Sequence, residues 1–99
     1  LASYNKTANN LLPDVAGSFE PRELFELSLL KCLLTEIPEE TEYDSITLSL
    51  SNGRIRITCS AESVTKAEAA KKNIQEASTR CTLLNLVSIE KLIVIRRTP

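Results

Sequence analysis

From Ser45 to Ser51, and again from Arg54 to Ser60, apolar and polar residues alternate one by one, with Asn52-Gly53 between the runs. Alternation at period two predicts strands with one buried face, and Asn-Gly supplies the positive backbone angles of a type I′ turn. A two-residue loop pairs 51 with 54, 50 with 55, 48 with 57 and 46 with 59. Ile46, Leu48 and Leu50 then share a face with Ile55, Ile57 and Cys59. The opposite face carries Thr47, Ser49, Ser51, Arg54, Arg56 and Thr58. A slip of one residue would bury both arginines, so the register is well specified.

Two segments flank this hairpin with helical spacing. The first runs from Arg22 to Ile37, with leucines at 24, 27, 29, 30, 33 and 34. Ser18 is its predicted N-cap, Pro21 suits the first turn, Glu20 and Glu23 favour the positive end of the dipole, and Pro38 stops it. Its apolar arc covers more than half the circumference, whereas a helix on one sheet needs a narrower stripe. The excess points to contact with a second helix or another chain. The second segment runs from Ala61 to Arg80 with Ser60 or Ser63 as cap. Val64, Ala67, Ala70, Ile74, Ala77 and Cys81 recur on one side, mostly small enough for close approach to a sheet. Lys66, Glu68, Lys72, Gln75 and Glu76 read as its solvated face.

Leu92 to Ile95 is β-branched and short, which predicts a strand. Its apolar residues fall on both faces, as in a strand covered on both sides. Leu83 to Ile89 fits a further strand, a bend into the last one, or a helical extension. Residues 1 to 18 are polar and punctuated by Pro13 and Gly17; they read as a flexible N-terminal segment or linker, with Leu11, Leu12 and Val15 as its anchors. Residues 19 to 99 then form one α+β domain. It is expected as a two-layer sandwich in α-β-β-α-β order, with both helices on one face of a mainly antiparallel sheet. That order resembles ferredoxin-like or RNP-like domains without a clear first strand. In those folds the first strand lies between the hairpin and the last strand. Similar arrangements occur in small subunits of RNA-processing and tRNA-modifying complexes, a likeness of fold only.

Composition narrows this picture. Ninety-nine residues, 42% of them hydrophobic, suffice for one modest core. With leucine at its start and no methionine, the chain reads as a fragment of a longer protein. The apolar stretch from Leu83 to Ile95 is interrupted by Glu90 and Lys91, too short and charged for a membrane span. No membrane partner is expected. Cys32, Cys59 and Cys81 are odd in number and widely spaced, without the paired spacing of a zinc site. All three fall on apolar faces, where reduced cysteine packs as a small hydrophobe and an intracellular compartment follows. The rival reading is an extracellular protein with one disulfide, in which Asn5-Lys6-Thr7 is a glycosylation sequon.

The net charge of −1 conceals an asymmetry: residues 1 to 44 carry −6 and residues 45 to 99 carry +5. Such a dipole helps two halves dock more often than it marks a binding face. The acidic run from Glu39 to Asp44 reads as a solvated connector.

The candidate chemistry is thin. The chain has no histidine and only two glycines, which removes the commonest general base and any phosphate-cradling loop. No enzyme activity, cofactor, metal or small-molecule substrate is expected. The leading expectation is a non-catalytic assembly domain, a subunit of a homodimer or larger complex. Phe25, Leu29, Leu33, Ile93 and Ile95 are its candidate partner-interface residues. The alternative is RNA-backbone binding through Arg54, Arg56, Lys91, Arg96 and Arg97 within a ribonucleoprotein or RNA-modifying complex. Against it, the basic face offers no aromatic residue on which bases would stack.

Overall fold

The computed structural model describes residues 1–13, 19–87 and 90–99. In chain order the elements are β1 (Ala2–Asn5), β2 (Asn10–Pro13), α1 (Pro21–Glu36), β3 (Ser45–Ser51), β4 (Arg54–Ala61), α2 (Val64–Arg80), α3 (Thr82–Leu86) and β5 (Glu90–Arg97). Five strands form one mixed sheet in the order β2-β1-β3-β4-β5. Helix α1 packs over β1, β2 and β3, and α2 over β4 and β5, both on one face. The molecule is α+β.

The central hairpin follows its alternation. β3 and β4 pair in the expected register, Ser51 with Arg54 through Ile46 with Cys59. Asn52 and Gly53 turn at φ of 52° and 72°, the left-handed region that a type I′ turn requires. Ile46, Leu48, Ile55, Ile57 and Cys59 are all fully buried under the helices.

Helix α1 opens on a capping box in which the Glu20 side chain meets the backbone at Glu23 and the Glu23 side chain accepts from the Glu20 amide. Ser18, expected as its cap, lies outside the described residues, as do Val15 and the end of the 83–89 segment. Leu29, Leu30, Leu33 and Ile37 form the buried stripe. Glu26 stands on the same stripe, only 1% exposed. Its position has a reason. β1 pairs with β3 only as far as Leu48, so the next outward-facing amide of β3, at Leu50, lacks a strand partner. Glu26 Oε2 accepts it at 2.6 Å, and Oε1 accepts from the Leu1 nitrogen. The buried carboxylate is thus held by two hydrogen bonds.

Three expectations need correction. First, residues 2 to 13, read as a flexible segment or linker whose few apolar residues could dock as a short strand or stay loose, form a two-stranded hairpin that extends the sheet. Its inward residues are Ala2, Tyr4 and Leu11, and Ala2 is fully buried. Second, the strand order departs from the ferredoxin-like arrangement. β5 lies directly beside β4, parallel to it, and β1 sits at the far side of β3. A parallel neighbour demands a crossover connection, and α2 provides it, making β4-α2-β5 a βαβ unit. Third, two of the cysteines are not free thiols. Cys32 of α1 and Cys81, just after α2, form a disulfide with Cα atoms 5.9 Å apart, within the usual span of such a bond. Only Cys59 is a free thiol among the described residues. The ground for an intracellular compartment, three reduced cysteines, is therefore gone. The segment after α2 is the short helix α3, whose Leu84 is buried beneath α1 and α2.

Candidate interaction surface

The sheet face opposite the helices carries no covering element among the described residues. Cross-strand register arranges it in rows. Asn10, Asn5, Ser45, Ser60 and Arg96 form one; Leu12, Ser3, Thr47, Thr58 and Val94 form the next. Shorter rows follow: Ser49, Arg56 and Leu92, then Ser51, Arg54 and Glu90. Hydroxyls occupy the middle, with Ser45 and Ser60 hydrogen-bonded at 2.6 Å. At the β5 side the face becomes apolar and charged. Leu92 is 44% exposed, and Val94 is partly exposed next to it.

The five bases singled out from sequence do not share this face. Arg54, Arg56 and Arg96 do, by strand alternation. Lys91 and Arg97 fall on the helix side of β5, alongside Ile93 and Ile95. Even the three are divided, since Arg96 stands four residues along β5 from the position beside Arg56, about 13 Å at strand rise. Arg54 is also paired with Glu90 at 3.1 Å.

The five apolar candidates divide similarly. Leu29 and Leu33 are fully buried in the chain's own core, so no partner reaches them. Phe25 remains 38% exposed, next to Leu24, which is more exposed still. Ile93 packs against the core edge and Ile95 is partly exposed. The wide apolar arc of α1 thus has several uses: core contact through Leu29, Leu30 and Leu33, the bridge through Cys32, and exposure at Leu24 and Phe25. Alternation sets Leu92 and Val94 on one side of the strand and Ile93 and Ile95 on the other, but not which side, with Glu90, is the open face. Their parity along β5 was the available signal, once β4 is its known neighbour.

The acidic loop is more than a solvated connector. Lys6 Nζ donates to the carbonyls of Glu39 and Thr41 and sits 4.6 Å above the Tyr43 ring. Lys66 pairs with Glu42 and Glu62, and the Glu62 hydrogen bond, then the charge of Glu42, raises its pKa. The Thr98 hydroxyl donates to Asp44 at 2.6 Å. Burial, then the neighbouring Tyr4, pushes the Tyr43 hydroxyl up to about 12. These contacts pin the loop between the two halves of the charge dipole.

Little here supports chemistry. Burial, then Asp44, raises the Cys59 thiol to about 11, so it stays protonated and weakly nucleophilic at neutral pH. Among the described residues no group of three or more His, Cys, Asp or Glu is placed to hold a metal ion, and no helix is long and apolar enough to cross a membrane. The chain matches no protein-family model and no curated protein sequence.

Proposed function

We propose that this chain is a non-catalytic assembly domain, the subunit of a homodimer or larger complex, and that β5 is its joining edge. The observation that carries this reading is the contrast between the two sheet edges. β2 is four residues long and ends at Pro13, which has no N–H to offer a partner strand. β5 is eight residues long, lies at the edge, and carries apolar side chains on both faces. An edge of that length, uncovered among the described residues, invites another strand.

The sequence of β5 is also complementary to itself. In antiparallel pairing about a twofold axis at Ile93, Glu90 faces Arg96 of the second copy and Leu92 faces Val94. Both pairs lie on the open face. On the helix side Ile93 meets its own counterpart and Lys91 lies beside Ile95. Opposite charges and apolar pairs thus fall together without a like-charge clash, the requirement of an isologous contact. The result is a continuous ten-stranded sheet. Nucleic acid has less to bind here, because the bases are divided between faces and ends and no aromatic residue joins them.

Sedimentation equilibrium over a range of concentrations tests the reading. The weight-average mass is expected to rise from 11.0 kDa toward twice that value. A strict monomer at the highest attainable concentration would overturn self-association.

A further inference from the structure

We infer that Asn5 is an acceptor for N-linked oligosaccharide, and that this chain matures in an oxidising secretory compartment. Two independent features meet in this assignment. The first is the tripeptide Asn5-Lys6-Thr7, which carries the hydroxyl two residues after the amide and has no proline between. Alone it is a cheap match. The second is the Cys32–Cys81 bridge, joining α1 to the end of α2 across 49 residues. Bonds of this structural kind persist in secreted and lumenal proteins and are rare where thiols are kept reduced. A reducing compartment disfavours the bridge, whereas the oxidising secretory lumen holds such bonds and is also where N-linked oligosaccharide is transferred.

The local geometry suits the modification. Asn5 closes β1 and Thr7 lies in the turn toward β2, and both side chains are exposed. Asn5 Oδ1 turns back to accept the Ala8 amide at 3.1 Å. Among the described residues no group holds its Nδ2. Lys6, between them, is tied down instead: its amide donates to the Asp44 carbonyl at 2.9 Å and its ammonium rests on the acidic loop. The turn is thus anchored by its middle residue and presents the outer two.

The transfer itself is redox-neutral. Nδ2 of Asn5 gives up a proton and forms a bond to C1 of the reducing-end sugar. The C1–O bond to the isoprenoid pyrophosphate of a lipid-linked donor breaks, and the lipid pyrophosphate leaves. Attached at Asn5, the glycan projects from the hydroxyl-rich end of the open face, beside Ser45 and Asn10. β5 lies three strand positions away, about 14 Å across the sheet, so the joining edge stays open. The inference stands whether or not the chain dimerises.

Intact-mass measurement of the protein recovered from the cells that make it tests this, without reductant and with or without peptide-N-glycosidase. The expected result is a mass above that of the sequence, removed by the enzyme with an aspartate left in place of Asn5. Asn5→Gln and Thr7→Ala should each abolish the added mass, and Thr7→Ser should retain it. An unmodified Asn5 would overturn the inference. So would added mass that survives both substitutions.

Discussion

Opening the Cys32–Cys81 bridge with a thiol reductant lowers the free energy of unfolding by about 2–4 kcal/mol. The bond closes a loop spanning 49 residues, and the chain-entropy estimate for such a loop is about 4 kcal/mol, an upper figure because denatured chains keep residual structure. A domain of this size loses ~4–8 °C of midpoint per kcal/mol, so the thermal transition should fall by roughly 8–32 °C. Thermal unfolding followed by circular dichroism, with and without reductant, reads this directly. The Cys32→Ala and Cys81→Ala double variant should match the reduced protein and ignore reductant. An oxidised sample whose native thiols at both positions react with an alkylating reagent would contradict the bridge.

The second large effect separates core from interface on α1. Leu33→Ala removes a fully buried side chain of the core that includes Leu29, Leu30, Ile46 and Ile57, and such truncations cost about 2–5 kcal/mol. That is a large share of the ~5–15 kcal/mol typical of whole domains. Urea titration at low protein concentration should show an earlier midpoint with the slope unchanged. The self-association of the protein that remains folded should be unaltered. Unchanged stability with lost association would instead return Leu33 to a partner surface.

How much of this was legible depended on whether the determinant was local. The β3–β4 register rests on alternation and an Asn-Gly pair, both contained in sixteen residues, and it was read correctly residue by residue. The two long helices, α1 and α2, were legible from spacing and from Pro38, whereas α3 was one of three readings left open for Leu83 to Ile89. The N-terminal hairpin was not, because its inward face holds only Ala2, Tyr4 and Leu11, and its turn has no glycine. Asn9 adopts a φ of 55° there instead, which asparagine tolerates better than most residues. Strand adjacency is tertiary: nothing within Leu92 to Ile95 states that β4, in parallel, is its neighbour. The disulfide belongs to the same class, since three cysteines do not declare which two meet. The burial of Glu26 is tertiary as well, since its carboxylate meets the Leu50 amide of β3, 24 residues away.

At the candidate surface, the outward direction of Arg54 and Arg56 followed from the hairpin alone. Lys91 and Arg97 were grouped with them by sequence nearness to Arg96, although odd and even positions of a strand point oppositely. Leu29 and Leu33 were placed at an interface because the arc of α1 was too wide for a sheet, but the residues facing outward are Leu24 and Phe25. Width showed that something extra was there without saying which residues it was.

The self-complementary order of β5 is the central claim, and charge reversal at its two ends tests it most directly. Arg96→Glu and Glu90→Arg each set like charges opposite one another at both ends of the twofold contact. At roughly 1 kcal/mol per altered pair, each should weaken dimerisation by about thirtyfold. The double variant restores opposite charges and should recover most of the lost affinity, as measured by sedimentation equilibrium of all four proteins. Equal association in all four, or a double variant as weak as the two losses combined, would contradict pairing in this register.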